Sequence, residues 1–444
     1  MPKARRVASS DTTSPERTRA DKTAGTPRTA AGRGRRDDEG PRAGRGTASP
    51  AARRGASGDD FAGFTGLASL FNPLWCYHGF IVAVLALSVF GVIMVFSSSS
   101  VSMVANGYAP WKQAVSQGVY CVGGLVCALV LSRCGVRLYR RVGIIAVFGA
   151  MFLQFLTLTP LGIDVDGNRG WIGIPGVLTF QPAEMIKLSL CIWLPGALQM
   201  AAKRFRREGW KAYAVPGGVY ASCLGLVLLG KDLGTAMIIV FIGVVAFMIS
   251  GFPLKYMAML AGGLAVLVLV LVVTSPNRLR RVFAAYSCSD ADTQGVCFQS
   301  VHARYALSSG GLLGVGLGNS REKWSYLPAA HNDFIFAIIG EETGFVGTMI
   351  VVLLFVTIGW CLLVVALQIK DRYVSMVLMC VMIWIVGQAL VNIGVVVGLF
   401  PVLGVPMPFV SAGGSSMLMC LSAAGVAVGM MRSQPQIRAE SRSS

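Results

Sequence analysis

Ten apolar runs, each about as long as a helix that crosses a membrane, constrain this chain more than any other feature. A transmembrane helix takes roughly 20 mainly apolar residues. Only 14% of this chain is charged, against about 25% in a typical soluble domain. We therefore predict an all-α polytopic membrane protein with about ten transmembrane helices. The runs are 79–99, 113–132, 142–160, 182–202, 213–230, 234–250, 256–274, 345–367, 374–398 and 412–431.

The basic residues between the runs predict the orientation of the chain. Lysine or arginine follows every even-numbered run, and basic loops stay in the cytoplasm, so both termini are expected there. The net charge of +18 is spread between apolar runs, which favours membrane orientation and argues against nucleic acid binding. The loops after the odd-numbered runs then face outward, at 100–112, 161–181, 230–234, 275–332 and 399–411.

Three regions follow from this pattern. Residues 1–70 form a basic tail with almost no large apolar residues before Phe61, which predicts a disordered cytoplasmic segment. Such a tail either contacts anionic lipid or a cytoplasmic partner, or is solvated and sets the topology. Residues 71–431 form the membrane domain, with 275–332 as its one large extracytoplasmic loop, and 432–444 form a short cytoplasmic tail.

The outward loop before the fourth run leads into a pair of charged residues. Glu184 and Lys187 are three residues apart on the predicted helix and so share one face. Charges near a membrane survive by pairing or by facing a cavity, so the two form either a structural ion pair or part of a cavity for a charged ligand. Trp171 is either an interfacial residue or a platform for a sugar ring. Lys231 and Asp232 lie in the turn between two runs, as a plain turn or as a polar lip.

A glycine-rich stretch, SSGGLLGVGLGNSREKW, occupies residues 308–324. A dinucleotide-binding site is rejected because no strand precedes the glycines and no βαβ unit surrounds them. With Arg304, Arg321 and Lys323 nearby, the loop is still a candidate for binding an anionic phosphate through its backbone N–H groups.

Asp333 lies where this loop enters an apolar run, LPAAHNDFIFAIIGEE at 327–342. On a helix Glu341 would lie about 80° around from Asp333, and Glu342 about 180° away, so the acids do not form one paired site. Next to His331 at the membrane boundary, Asp333 is a candidate general base whose pKa partial desolvation would raise. The alternative is a helix N-cap, which aspartate favours.

The last outward loop, PVLGVPMPFVSAGGSS at 401–416, contains three prolines and three glycines. These residues exclude a continuous helix, and irregular backbone at membrane depth must be buried or line a cavity. A tight re-entrant turn is the alternative.

These motifs, in their order, resemble the SEDS family (shape, elongation, division and sporulation proteins) over about residues 75–431. The patterns are RGWIGIPGVLTFQPAEMIKL, KDLGTA, GLGNSREKWSYLPAAHNDFIFAIIGEE and PVLGVPMPFVSAGGSS. The cell-division branch of the family is the better match, and the elongation branch is the near alternative. The chain departs from the family at Gly170, which separates Arg169 from Trp171, at Asn332, where threonine is usual, and at Ala412, where tyrosine is frequent.

The resemblance implies a ten-span fold and a peptidoglycan glycosyltransferase that polymerises lipid II during septal synthesis at the bacterial cytoplasmic (inner) membrane. Asp333 would be the general base on the acceptor 4-OH, and undecaprenyl pyrophosphate would leave. A divalent cation (Mg²⁺ or Mn²⁺) is implied only by the resemblance. The implied partners are undecaprenyl-linked glycan, a class B penicillin-binding protein and other division membrane proteins. The predicted substrate-binding residues are Arg169, Trp171, Gln181, Glu184, Lys187, Lys231, Asp232, Arg304, Arg321, Lys323, His331, Ser411, Gly413, Gly414 and Ser415.

Two other classes of protein remain open at this stage. A flippase for the same lipid should show inverted repeats and broken helices at mid-membrane. A non-catalytic scaffold of the division machinery should tolerate loss of Asp333. The sequence also leaves one pairing to test: Cys288 and Cys297 face an oxidising exterior in this topology, which predicts a disulfide rather than two free thiols.

Overall fold

The computed structural model describes residues 66–165, 168–174, 178–274, 279, 296–324, 327 and 330–438. The predicted tail at 1–70 lies outside the described residues except for its last five positions, where a 3₁₀ turn spans Gly66–Phe71. Within the described part, the chain is mostly helical. Its α-helices are α1 Pro73–Ala105, α2 Lys112–Arg133, α3 Val136–Leu156, α4 Pro182–Glu208, α5 Ala214–Leu229, α6 Leu233–Ser250, α7 Leu254–Val273, α8 Val296–Ser309, α9 Ile335–Gln368, α10 Arg372–Val396 and α11 Gly414–Met431.

Each of the ten predicted runs overlaps one of these helices, and the mainly helical, polytopic membrane architecture is confirmed. By length and composition, the described residues contain seven helical segments that could cross a membrane. The largest boundary error is at α9, which begins at residue 335 rather than 345. Its first turns carry Glu341 and Glu342, whose charges concealed the helix in the hydropathy pattern.

A small antiparallel sheet, which the sequence did not predict, replaces the expected plain loop at 161–181. Strands β1 Gly162–Val165, β2 Asn168–Ile174 and β3 Leu178–Phe180 pair in the order β1-β2-β3. Trp171 lies opposite Ile163 in this sheet. The sheet therefore holds the segment around Trp171 in an extended conformation just before α4.

The helices pack closely where glycine removes a side chain from the contact. A Cβ at Gly425 of α11 would collide with the backbone of Ala128 on α2. Small residues at membrane helix interfaces allow this kind of close backbone approach. The contact holds the second half of α11 against α2, and Tyr120 of α2 lies against Gly414 at the start of α11.

The connections predicted to face outward meet at one end of the helices. The Arg169 N–H donates to the Gly230 carbonyl, at 3.1 Å, and the Ala412 N–H donates to the His331 carbonyl, at 2.9 Å. The opposite end holds a basic cluster in which Arg140 contacts Asp371 at 2.7 Å. The connections predicted to face outward thus share one end of the helices, and the Arg140–Asp371 contact lies at the other.

A substitution at Gly91 of α1 would test how tightly the 401–413 segment is packed against this helix. A Cβ there would collide with the Phe409 carbonyl oxygen and would lie 2.7 Å from Val410 Cα. We expect Gly91→Ala to lower the free energy of unfolding by about 1–3 kcal/mol, because overpacking forces the backbone to shift. Gly118→Ala is the control, since nothing lies within 4 Å of its added Cβ. Thermal unfolding in detergent should show a loss for Gly91→Ala only; equal melting temperatures would contradict the packing argument.

Candidate functional site

The turn that carries Asp333 is held by three consecutive main-chain carbonyls. The Ser411 hydroxyl donates to the Asn332 carbonyl at 2.7 Å, and the Asn392 amide donates to the Asp333 carbonyl at 2.8 Å. The carbonyl of His331 accepts from the Ala412 N–H. The backbone of Asp333 is therefore fixed by α10 and by the 401–413 segment.

The Asp333 side chain is half-buried beside Gly404. Gly404 has a φ of +71°, and a Cβ added there would lie 3.7 Å from Asp333 Oδ2. The N-cap of α9 is Phe334, and no side chain caps that helix start. Asp333 thus lies one residue before the cap position, and the N-cap alternative is not supported.

The 401–413 segment is irregular, as predicted, and its polar groups are bonded inside the protein. The Gln117 side chain of α2 donates to the Ser411 carbonyl at 3.0 Å and accepts from the Gly413 N–H at 3.1 Å. The Ser411 hydroxyl also accepts from the Met407 N–H at 2.8 Å. A Cβ at Gly414 would collide with the Tyr120 ring. The loop is therefore held in place at Ser411, Gly413 and Gly414. The Ser411 hydroxyl is used twice, since it accepts one main-chain hydrogen bond and donates another.

Glu184 and Lys187 form a buried ion pair. Lys187 Nζ lies 2.7 Å from Glu184 Oε1, and both side chains are 1% exposed. Lys187 also donates to Gln388 Oε1 at 2.8 Å. The structural ion pair, one of the two interpretations of the sequence, is the arrangement observed, and Lys187 does not open to solvent.

A second buried group joins the sheet to α6 and α11. The Gln181 amide donates to Asp232 Oδ2 at 2.9 Å, and Asp232 Oδ1 caps α6 by accepting from the Thr235 N–H at 2.9 Å. The Gln181 N–H donates to Ser415 Oγ at 3.0 Å. Gln181, Asp232 and Ser415 thus connect the N-terminal ends of α4, α6 and α11.

The glycine-rich loop closes a break in α9. Gly344 has φ +69° and ψ −167°, which interrupts the helix. The N–H groups of Val315 and Gly316 donate to the carbonyls of Glu341 and Glu342, at 3.0 and 3.1 Å. These N–H groups are consequently occupied by the protein itself, and the predicted phosphate cradle is wrong at these two positions. Helix α8, rather than a strand, precedes the loop.

The two glutamates before the break anchor the rest of this loop. Glu341 accepts from the Ser320 hydroxyl at 2.5 Å and from the Arg321 N–H at 2.8 Å. Glu342 forms a buried ion pair with Lys323 at 3.1 Å and accepts from the Ser97 hydroxyl at 2.7 Å. The sequence pattern did not predict these roles.

Lys323 is the clearest correction among the predicted substrate-binding residues. Its side chain is 3% exposed, and its ammonium contacts Glu342, the Gly318 carbonyl at 2.5 Å and the Ser97 hydroxyl at 3.5 Å. An ammonium has three hydrogens to donate, so these partners leave none for a pyrophosphate.

Four predicted basic residues are exposed at this end of the protein. Lys231 has a left-handed backbone, φ 65°, and Arg169 makes a 3.6 Å contact with Asp164 between exposed side chains, which is a weak interaction. Arg304 lies beside Gly398, and Arg321 follows the anchored Ser320. These four cations, unlike Lys187 and Lys323, are accessible to an anionic ligand. Trp171, two residues after Arg169, is partly exposed.

The stability of the protein is expected to depend on pH because of His331. Burial lowers the pKa of His331 below its usual value, so the unfolded chain binds a proton at a higher pH than the folded protein does. Stability should therefore fall as pH drops through about 6.5, the ordinary histidine pKa. We expect the melting temperature of the wild type, relative to that of His331→Gln, to decrease between about pH 7.5 and 5.5. Parallel curves for the two proteins would contradict this expectation.

The residues that sequence reasoning missed are Gln388, Asn392, Gln117 and Ser97. Gln388 and Asn392 are polar residues four apart inside a predicted apolar span. Polar residues inside a membrane span are costly and usually functional. This signal was present in the sequence and would have identified both residues.

A metal site is not complete in the described residues, where no three His, Cys, Asp or Glu side chains lie together. Mg²⁺ is commonly bound by one or two carboxylates plus phosphate oxygens and waters. A cation at Asp333 would therefore need ligands from a phosphorylated substrate.

Cys297, at the start of α8, is disulfide-bonded. Its predicted partner, Cys288, lies outside the described residues, so the pairing stays a prediction. Thiol labelling with and without reductant tests it.

Fold and site together define a polytopic helical membrane protein, with the Asp333 carboxylate at one end on a turn that hydrogen bonds hold in place. A family model described as "Cell cycle protein", covering FtsW, RodA and SpoVE, matches residues 78–435. The chain belongs to this family, the SEDS family that the sequence motifs indicated.

Relatives and solved structures agree with this assignment. The chain is 33% identical over 373 residues to "Probable peptidoglycan glycosyltransferase FtsW" of Mycobacterium tuberculosis, covering 83% of this chain and 70% of that one. It is 33% identical to "Stage V sporulation protein E" of Bacillus subtilis, covering 79% and 96%. A chain from a peptidoglycan synthase complex that coordinates polymerization and crosslinking matches with a TM-score of 0.64 and 26% identity, covering 81% and 98%. RodA of Thermus thermophilus matches with a TM-score of 0.59 and 26% identity, covering 82% and 97%.

Proposed function

We propose that this chain polymerises lipid II into glycan strands at the outer face of the cytoplasmic membrane, with Asp333 as the general base. The chain is a peptidoglycan glycosyltransferase by its family and by the names of relatives such as the M. tuberculosis protein. The observation that carries the assignment of the base is the half-buried Asp333 carboxylate on a backbone fixed by Asn392 and Ser411.

The reaction needs a proton acceptor and charge neutralisation. Asp333 takes the proton from the GlcNAc 4-OH of the acceptor, and the freed oxygen attacks C1 of the MurNAc unit on the donor. The new glycosidic bond forms as the bond from C1 to undecaprenyl pyrophosphate breaks, and the pyrophosphate departs with the bonding electrons.

The departing pyrophosphate carries negative charge that cations at the outer end would stabilise. Arg169, Lys231, Arg304 and Arg321 are exposed and are the proposed contacts. Lys187 and Lys323 are excluded from this role because both are committed to buried ion pairs. Trp171 is the proposed stacking platform for a sugar ring.

A divalent cation remains part of the proposal; beside Asp333 it would be held mainly by oxygens of the substrate pyrophosphate, so that the carboxylate stays available to accept the proton. It would neutralise charge on the leaving group.

The proposed topology has ten spans and two cytoplasmic termini. The proposed location is the inner membrane at the division septum, which the names of the FtsW relatives support. A class B penicillin-binding protein is the proposed partner, because the chain resembles a component of a synthase complex that couples polymerization to crosslinking. Other division membrane proteins are further proposed partners.

Polymerisation by purified protein tests the function directly. The wild type, purified with its cognate penicillin-binding protein and given lipid II, should make glycan strands that separate by length on a gel. The same protein in vesicles distinguishes the flippase alternative: lipid II that crosses the bilayer without forming polymer would contradict the proposal and favour transport. A protein that neither forms polymer nor transports lipid II would favour a scaffold.

A further inference from the structure

In the second half of helix α10, three buried side chains with polar groups follow one another at intervals of four residues: Trp384, Gln388 and Asn392. Residues four apart on a helix are neighbours on its surface. A buried polar group in a membrane helix is costly unless it is bonded, so the partners of these side chains indicate what the face is for.

Asn392 joins the turn of Asp333 to the 401–413 segment. Its Nδ2 donates to the Asp333 carbonyl and to the Val405 carbonyl, both at 2.8 Å. Carbonyl oxygens only accept, so the NH₂ group, not the amide oxygen, must face them. Both hydrogens of that group are used.

Gln388, one turn earlier, joins the same segment to the buried ion pair. Its Nε2 donates to the Pro406 carbonyl at 2.8 Å. Its Oε1 accepts from Lys187 at 2.8 Å and from the Trp384 indole N–H at 3.0 Å. The two amides of α10 therefore hold two successive carbonyls, those of Val405 and Pro406.

We propose that Gln388 and Asn392 are positioning residues that act as one unit, setting the Asp333 carboxylate against the 401–413 segment. This inference rests on the proposed function. The amide nitrogens of both side chains donate to main-chain carbonyls, so their effect passes through Asp333 and the loop. Catalysis is sensitive to displacements of about 1 Å in a reacting group, and a unit that links helices α4 and α10 to two loops restricts such displacements.

Asn392→Leu keeps the shape of the side chain and removes both donors. We expect turnover at saturating lipid II to fall roughly 10- to 100-fold, while the half-saturating lipid II concentration stays unchanged because Asn392 is proposed to touch no substrate. Gln388→Leu should have a similar effect. The double variant should turn over lipid II as fast as the less active single variant, because substitutions in residues that act as a unit do not have additive effects.

Tyr373→Phe is the matched control. It removes another hydrogen bond from α10 to a main-chain carbonyl, that of Ile192, at 3.0 Å. Tyr373 lies about 28 Å along the helix from Asn392, at 1.5 Å per residue. We expect polymerisation at the wild-type rate.

Three results would overturn the inference while leaving the proposed function standing: wild-type turnover in folded Asn392→Leu, a raised half-saturating concentration with unchanged turnover, or losses that multiply in the double variant. If Asn392→Leu does not fold, Asn392→Ser decides: its hydroxyl has one hydrogen and can donate to only one of the two carbonyls, so the link between them is lost. Wild-type turnover in that protein overturns the inference. A wild type that makes no polymer overturns the proposed function itself.

Discussion

Replacing Lys323 with methionine is expected to lower the free energy of unfolding by about 3–5 kcal/mol, because it leaves Glu342 charged and buried without its cation. Glu342 and Lys323 are almost entirely excluded from solvent and lie 3.1 Å apart. In the described part of the chain, the Ser97 hydroxyl would be left as the hydrogen-bond donor to that carboxylate.

A double variant separates this cost from a general effect of the methionine. Lys323→Met combined with Glu342→Met removes both charges, and replacing a whole buried pair by apolar residues is often close to neutral. Denaturant titration in mixed micelles should therefore show a large loss for the single variant and a recovery for the double variant. An unchanged stability of Lys323→Met would contradict the buried pair and would make Lys323 a possible pyrophosphate contact again.

The sequence predicted the helices because apolar runs of membrane length, repeated along a chain with so little charge, are typical of transmembrane helices. It also predicted which loops share an end, because successive runs of membrane length place alternate loops on the same side. It did not predict the sheet around Trp171, whose strands are short and interrupted by glycine and proline. The predicted span also omitted almost three turns at the start of α9, because Glu341 and Glu342 look like a loop until their partners at 320–323 are known.

At the candidate site, too, the sequence predicted some features and not others. Asp333 was selected as the candidate base because a carboxylate at the mouth of an apolar run stands out in the sequence. Lys323 was assigned to substrate because its partner, Glu342, is 19 residues away and cannot be paired with it by spacing. The phosphate cradle was inferred from glycines in a loop whose N–H groups instead close the break at Gly344. Such pairings depend on tertiary contacts, which local patterns do not contain.

Loss of the Asp333 carboxylate is expected to have the largest effect on activity. Asp333→Asn keeps the size of the side chain and leaves the carbonyl that Asn392 holds unchanged. It removes the group that accepts the proton, so we expect polymerisation to fall by about 10²- to 10⁴-fold. Glu208→Gln is the control, since it makes the same change of carboxylate to amide at an exposed position at the end of α4.

The most direct test of Asp333 as the general base is glycan polymerisation from lipid II by wild type, Asp333→Asn and Glu208→Gln, each purified with the same penicillin-binding protein. Wild type and Glu208→Gln should form strands, and an Asp333→Asn protein that melts like wild type and keeps its partner should form almost none. Strand formation by Asp333→Asn at the wild-type rate would contradict the assignment of Asp333 as the general base.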